Sequence, residues 1–436
     1  SINSGASFSN IQSVRIYNSI SGATKMSFTG DISPTVAERA YAASYDVTLT
    51  AGEAVKNITG TFKDVAGNQL VQTVSIKLNT FAVSYTSASG NGEMGYSVGI
   101  NQSGTVAVSG SPYRTWYQPI TGGFLVRTEV GAFQIFRKSS GIWAVDGGLN
   151  HTGLNYAHMG YSVSVDASGT YITVGAPQDG ASTNSPYGKV YRYRYSSGWT
   201  LYQTMAEDGS HNGNGQTVLD TGTYFYYRYA TLTNNVRRND GLATTYNAQG
   251  FYKDMDASGA TGSDYMAVGA PFDVSSQGRV YMCNPALGSP VAKAASDAAA
   301  NALFGRTVAI SRDHNTLVVS DNLGDVYIFQ GGVQVQKIPP QGGSQYFGLG
   351  LAVSDDGTTI VIGQPAYNSW LGAVYLYVRP PSQPSTWSLV QVYTPPAAVA
   401  GDNFGHSVAV SGDGSTIVAG APTASTTGAA VVYILE

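Results

Sequence analysis

The stretch "FGHSVAVSGDGSTIVAGAP", Phe404 to Pro422, holds two short apolar runs, Val408-Ala409-Val410 and Ile417-Val418-Ala419. A four-residue turn, Ser411-Gly412-Asp413-Gly414, joins them. Alone, its glycines could cradle a ligand. The stretch recurs, however, and recurrence decides a fold before any motif does. Clear copies begin at Met94-Gly95-Tyr96, Met159-Gly160-Tyr161, Phe304-Gly305-Arg306 and Phe347-Gly348-Leu349. They run on to Val106-Ala107-Val108-Ser109-Gly110, Ile172-Thr173-Val174-Gly175-Ala176-Pro177, Leu317-Val318-Val319-Ser320 and Ile360-Val361-Ile362-Gly363-Gln364-Pro365. Two weaker copies lie between. One ends in Met266-Ala267-Val268-Gly269-Ala270-Pro271; the other begins at Gly215-Gln216-Thr217-Val218, with Tyr224 to Tyr227 where the aliphatic strand should be.

Each copy has a second half. A Gly-x-Val-Tyr-like strand follows a variable loop, as in Gly278 to Met282, Gly324 to Phe329 and Gly372 to Tyr377. A turn and a further strand marked by Trp143, Trp199 or Trp387 often come next. A unit therefore reads as four short antiparallel strands. A lone four-stranded sheet has two faces to bury; packing such sheets face to face around an axis buries both, which makes a β-propeller. The predicted class is all-β: a seven-bladed propeller of four-stranded blades, alternatively six-bladed, over residues 81–436. The last unit stops at its third strand, Val431 to Leu435, while a spare strand, Phe81 to Tyr85, precedes the first repeat. The expectation is that 81–85 completes the last blade, leaving no unpaired edge at the seam.

Composition agrees with this class. Of 436 residues 42% are hydrophobic and only 11% charged, against roughly 25% charged in ordinary soluble proteins. Gly (53) and Tyr (30) are abundant, which suits tight turns and a neutral, hydroxyl-rich surface. Formal net charge is −4 with no basic patch, so nucleic acid is a poor partner. No apolar run approaches a membrane span of about 18 residues, so direct membrane insertion is not expected. The single cysteine, Cys283, excludes an intrachain disulfide and is expected buried on a strand.

These repeats resemble FG-GAP repeats, the propeller units of integrin α-chains and of many bacterial and viral surface proteins. Phe404-Gly405 and Gly420-Ala421-Pro422 carry the likeness in its fullest form. The resemblance implies seven blades. It also implies a calcium loop in some blades, but the turns here, such as Asn101-Gln102-Ser103-Gly104 and Asp355-Asp356-Gly357, are too short and oxygen-poor for a cage of six to eight ligands. No metal and no cofactor are expected.

Residues 1–80 lack the repeat. Alternating runs at Val14–Tyr17, Lys25–Phe28, Tyr45–Leu49, Ile58–Phe62 and Val71–Leu78 read as a small antiparallel sandwich. The wording "TLTAGEAVKNITGTFKDVAGNQLVQTVSIKLNT" resembles the bacterial- and phage-type Ig-like modules that occur in tandem, with Lys63 to Asn68 as a hairpin. Ser1 is therefore expected to be a processed start or a cut through a longer chain.

Chemistry is scarce. His151, His158, His211, His314 and His406 make no metal-type spacing, and His406 reads as scaffold because other copies place Tyr, Arg or Leu there. Cys283 has no nearby base. The pairs Glu207-Asp208 and Asp355-Asp356 read as solvated turn residues. No catalytic residue is assigned and no enzyme is expected. Sequons stand at Asn57, Asn101 and Asn150, relevant only in a glycosylating compartment. The contact surface is expected on the loops, foremost "SPYRTWYQPITGG" with Tyr113, Trp116 and Tyr117, or on the long segment 205–250. The functional expectation is an extracellular, cell-surface or virion-surface structural and adhesion protein, its propeller a protein- or glycan-binding head on an Ig-like spacer. Its partners would be other protein subunits or surface glycans, within a larger assembly. The alternatives are a cement component buried in a lattice or capsid, and a carbohydrate-active enzyme on a propeller scaffold.

Overall fold

In a computed structural model, residues 8–9, 13–50, 54–78, 83–86, 92–120, 123–150, 155–179, 188–206, 218–221, 225–229, 235–238, 243–245, 255–257, 265–283, 290–297, 299–343, 346–380, 385–395, 400–423 and 431–435 are described. The chain divides into two compact units, Ser1–Ala82 with Leu435–Glu436, and Val83–Ile434.

The first unit holds a five-stranded sheet ordered Phe8–Ser9, Gln69–Leu78, Ala54–Lys63, Lys25–Gly30, Val36–Ala40, and a two-stranded sheet of Ser13–Tyr17 and Ser44–Thr48. Alternation puts Val14, Ile16 and Val47 of the smaller sheet against Met26, Phe28, Ile58, Phe62 and Ile76 of the larger. The Lys63–Asn68 hairpin is closed by Asp64, which accepts from the Asn68 backbone and side-chain amides at 2.9 and 2.8 Å. Val36–Ala40 went unforeseen. It is an almost wholly exposed edge strand, so "VAERA" shows no inward-outward alternation.

The second unit holds seven four-stranded sheets among the described residues. Their first strands are Ser97–Ile100, Ser162–Val165, Val218–Asp220, Met255–Ala257, Thr307–Ile310, Gly350–Val353 and Val408–Val410. Each first strand touches the first strand of the next sheet, and Val408–Val410 touches Ser97–Ile100, so these strands form a ring around a central channel. The weak copies supply the third and fourth sheets, the third from Val218–Asp220, Phe225–Tyr229, Asn235–Arg238 and Ala243–Thr245. In the seventh sheet the outermost strand is Val83–Thr86, antiparallel to Val431–Leu435 with Ser84 opposite Tyr433. Phe81 and Ala82 lie outside the described residues.

The repeat residues explain how sheet meets sheet. Phe304, Phe347 and Phe404 are fully buried, and each meets a third-strand tyrosine of its own sheet edge-on, Tyr327, Tyr375 and Tyr433, at 5.1–5.3 Å. Met94 and Met159 take the same seat in the first two sheets and are equally buried. The glycine that follows has φ between +81° and +92° in all five clear copies. Its N–H donates to the carbonyl at the end of its own sheet's second strand, as from Gly405 to Gly420 at 3.0 Å and Gly348 to Gly363 at 3.0 Å. Its carbonyl presses on the second-strand glycine of the preceding sheet. A Cβ on Gly110, Gly363 or Gly420 would overlap the carbonyl oxygen of Gly160, Gly405 or Gly95 respectively.

The short turns after each first strand do a second job. Their first residue is buried and caps the turn. Asn101 Oδ1, Asp166 Oδ1, Ser311 Oγ, Ser354 Oγ and Ser411 Oγ each accept the N–H five residues on, at 2.6–3.0 Å. Their second residue links sheets. Arg312 N donates to Asp355 O, Asp355 N to Gly412 O, Gly412 N to Gln102 O and Gln102 N to Ala167 O, at 2.8–3.2 Å. This belt crosses from the seventh sheet to the first at Gly412–Gln102.

Where a divergent sheet cannot interlock by apolar packing, charge replaces it. Val190 and Val218 form a small core between the second and third sheets. Beside them Arg192 donates to both Asp220 oxygens at 2.6 and 2.7 Å, lies 3.9 Å from the Tyr171 ring centre, and shares Asp220 with Thr173 Oγ1 at 2.5 Å. Both members are buried.

The outer strands carry β-bulges at one recurring place. The register slips opposite Ile135/Phe136, Arg192/Tyr193, Ile328/Phe329 and Leu376/Tyr377. The extra residues Asp146, Tyr202, Val335 and Val390 bend these edges away from flat pairing with another chain.

Gly363→Ala is expected to lower unfolding stability by about 2–3 kcal/mol, because the methyl must push two sheets apart. Gly198→Ala, with open space around it, should stay within about 0.5 kcal/mol of the parent. Chemical denaturation of both variants measures the difference.

Candidate functional site at the mouth of the channel

The channel is a cavity of about 560 Å³ walled by first strands. One end is formed by the belt turns, where Arg312 lies 3.5 Å from Asp355. Asp355 is pushed above the usual carboxylate range by burial, against the pull of Arg312. The sequence grouped Asp355 with Asp356, but the structure separates them. Asp355 lines the cavity, while Asp356 Oδ1 accepts from Ser354 and Thr358 inside its own turn. Glu207 and Asp208 lie outside the described residues.

The other end is set by the residue after each Phe-Gly or Met-Gly. Tyr96, Tyr161 and His406 line the cavity there. The Tyr96 ring lies 5.1 Å from Tyr161, 5.0 Å from His406 and 5.6 Å from Tyr113. His406 Nδ1 also lies 3.2 Å from Tyr96 O, so this residue both joins the seventh sheet to the first and faces the void. Reading His406 as scaffold saw only half its role. The signal was present: Tyr, Tyr, Arg, Leu and His alternate at a position flanked by fixed residues.

Tyr113 leads outward from this mouth. Its ring lies 5.0 Å from His158, and His158 Nε2 lies 3.0 Å from Glu129 Oε2. Glu93, next to Met94-Gly95, is half-buried and raised above the ordinary carboxylate range by burial and by the charge of Glu129. Tyr113 is raised by burial, with Tyr161, Glu93 and Glu129 adding to it. Tyr96 is raised strongly by burial and by its bonds to neighbouring tyrosines. Glu93, Glu129 and His158 all hold positive φ, 52°, 46° and 55°, at non-glycine positions. Glu93 and Glu129 stand 36 residues apart, and neither belongs to a recognisable motif.

The contact stretch 111–123 is a hairpin rather than a loop. Trp116–Ile120 pairs with Gly123–Arg127, with Tyr117 opposite Val126 and Pro119 opposite Phe124 in register, so Tyr117, Phe124 and Val126 share one face. Tyr117, Phe124 and Val126 are 61%, 67% and 49% exposed. Trp116 is half-buried, on the other face with Arg127. Of the sequon residues, Asn57 is exposed on Ala54–Lys63. Asn101 is 1% exposed, its amide committed to the turn through Thr105, Val106 and Ser103. Asn150 pairs opposite Ala132 by its backbone. The side chains of Asn150 and Cys283 lie outside the described residues, as does most of 205–250. Among the described residues no three His, Cys, Asp or Glu side chains gather as a metal group, and no helix is long and apolar enough to cross a membrane.

Comparison with known proteins gives the fold. Residues 387–434 match the FG-GAP repeat family. No curated protein sequence matches the chain. Among solved structures, the chain is similar to the β-propeller domain of Myceliophteria thermophila Cps50 (Swd1), with TM-score 0.54 and 13% identity, over 82% of this chain and 99% of that one. It is also similar to a chain in the crystal structure of a mitotic checkpoint complex, with TM-score 0.52 and 13% identity, over 81% and 94%. At that identity the likeness establishes a β-propeller fold and nothing about ligands.

Because folding raises Glu93, its ionisation opposes the folded state. Stability from this residue is fully present at low pH and falls as pH rises through the ordinary carboxylate range toward the raised value. Glu129→Gln should bring Glu93 back toward its ordinary value, and carboxyl-carbon NMR titration reads the shift.

Proposed function

We propose that this chain is a non-enzymatic surface protein, extracellular or on a virion, whose seven-bladed FG-GAP-type propeller is an interaction head for protein or glycan. The first unit is its Ig-like spacer. The observation that carries this reading is the hairpin Trp116–Arg127, which holds an exposed apolar face beside an aromatic channel mouth on an otherwise weakly charged protein. An isolated two-stranded hairpin is marginal in water, so a face of Tyr117, Phe124 and Val126 is best explained by what it meets. The FG-GAP match at the C-terminal repeat supports a surface location, and the propeller neighbours support protein partners.

A second reading, a cement subunit within a lattice, draws on the perimeter. Ile142, Leu201, Val291 and Val333 on four different outer strands are 71%, 54%, 59% and 67% exposed. Sheets whose outer strands end in apolar side chains can pack sideways against other subunits.

Labelled full chain binding to a panel of intact cells, read by flow cytometry, separates these readings. The head reading expects saturable binding that Tyr117→Asp with Phe124→Asp reduces about tenfold at unchanged thermal stability. Binding unaffected by the hairpin pair but lost with Ile142→Lys and Val333→Lys would favour the lattice reading. Release of chromophore from aryl glycosides by the full chain would overturn the non-enzymatic assignment.

A further inference from the structure

We infer that the mouth of the channel around Tyr96 and Tyr161 is a binding site for neutral, hydroxyl-rich sugars. The inference rests on the interaction-head reading and names the ligand class of that head.

Three observations lead to it. The void has the size of a small-ligand pocket, about 560 Å³. Its walls are first strands, each paired with its sheet on one side only; on the other edge Ile310 N donates to Asp256 Oδ2 and Asp220 N to Ser164 Oγ, and Asn101, Gln102, Ser162, Thr307 and Ser407 add polar side chains to the lining. Its mouth is aromatic. Tyr96, Tyr161 and His406 border the void, with Tyr113 immediately behind Tyr96. A pyranose presents one apolar C–H face and a rim of hydroxyls. Aromatic rings at the mouth and polar side chains in the lining answer both.

The charges narrow the class. Glu93 O accepts from Tyr96 N at 3.0 Å, and Glu129 Oε2 lies 3.0 Å from His158 Nε2, whose ring lies 5.0 Å from Tyr113; among the described residues no ion pair with Lys or Arg is formed by either carboxylate. At the far end, Arg312 already faces Asp355. Arg306, the basic residue among those following the glycine, lies by Tyr346 on the fifth sheet. Two carboxylates behind the aromatic mouth repel a sialic, uronic or sulfated sugar and leave a neutral one unopposed.

The test uses the full chain and an immobilised panel of neutral oligosaccharides ending in galactose, glucose, mannose or N-acetylhexosamine, beside sialylated and sulfated counterparts. At least one neutral terminus should bind, and its acidic counterpart should bind about tenfold more weakly or not at all. Tyr161→Leu should weaken neutral binding about tenfold while the thermal midpoint confirms folding. Glu93→Gln should narrow the gap between neutral and acidic sugars, a readout that lost folding cannot imitate. The inference is overturned if no sugar binds, if acidic sugars bind as well as neutral ones, if folded Tyr161→Leu binds unchanged, or if Glu93→Gln leaves the preference intact. Tetramethylammonium binding in place of any sugar would also overturn it. Cell binding that depends on the hairpin but not on Tyr161 or Glu93 would sink this inference and leave the interaction head standing.

Discussion

Neighbouring sheets in the second unit touch through a carbonyl set on a missing side chain. The glycine that ends a second strand lies under the carbonyl of the glycine that opens the next sheet, at Gly110–Gly160, Gly363–Gly405 and Gly420–Gly95. A side chain at any of these places would separate the sheets, and the other contacts fail with them. The fully buried Phe304, Phe347 and Phe404 could not stay sealed. Ser97 Oγ could not reach Gly160 O at 2.9 Å, nor Ser407 Oγ reach Gly95 O at 2.7 Å. Close approach also sets the channel width, because it fixes how far each first strand stands from the next. Structure and candidate site thus follow from one constraint: the mouth residues Tyr96, Tyr161 and His406 are next in sequence to the glycines that lock the ring.

Much of this was legible because it repeats. One "FGHSVAVSGDGSTIVAGAP" could have been a ligand loop; four clear siblings made its glycines a packing device. The Ser-Gly-Asp-Gly turn was readable as a turn, but its place in a belt was not. That belt depends on the second residue of each turn meeting its neighbour's backbone, and backbone partners leave no mark in side-chain identity. Asn101 shows the limit from the other side. Its sequon looks accessible as text, while its alignment with Asp166, Ser311, Ser354 and Ser411 shows the buried cap it is. The hairpin at 116–127 was hidden because Pro119 and two neighbouring glycines, Gly122 and Gly123, read as loop. The pairing of Tyr117 with Val126 emerges only in register.

The site was legible in kind and not in membership. Of the aromatics in the "SPYRTWYQPITGG" stretch, Tyr113 lies against Tyr96 at the channel mouth. Glu93, Glu129 and His158 did not stand out, because each is an ordinary polar residue until folding brings it beside Tyr113. What the repeat varies matters more than what it keeps. The position after the glycine borders the channel and meets its neighbours through side chains rather than through the fixed glycine–carbonyl contact, so it changes from Tyr to Arg to Leu to His while the ring keeps its spacing.

The ring is closed at its seam by Val83–Thr86, the outer strand of the seventh sheet. Ser84 and Tyr433 are opposite partners there, within the reach of a disulfide. In a Cys283→Ser background, Ser84→Cys with Tyr433→Cys should cross-link nearly completely under mild oxidation and then unfold at a higher midpoint than its own reduced form. The reduced form should keep the parent's fold. Failure of the two thiols to join in a folded protein would contradict the closed ring.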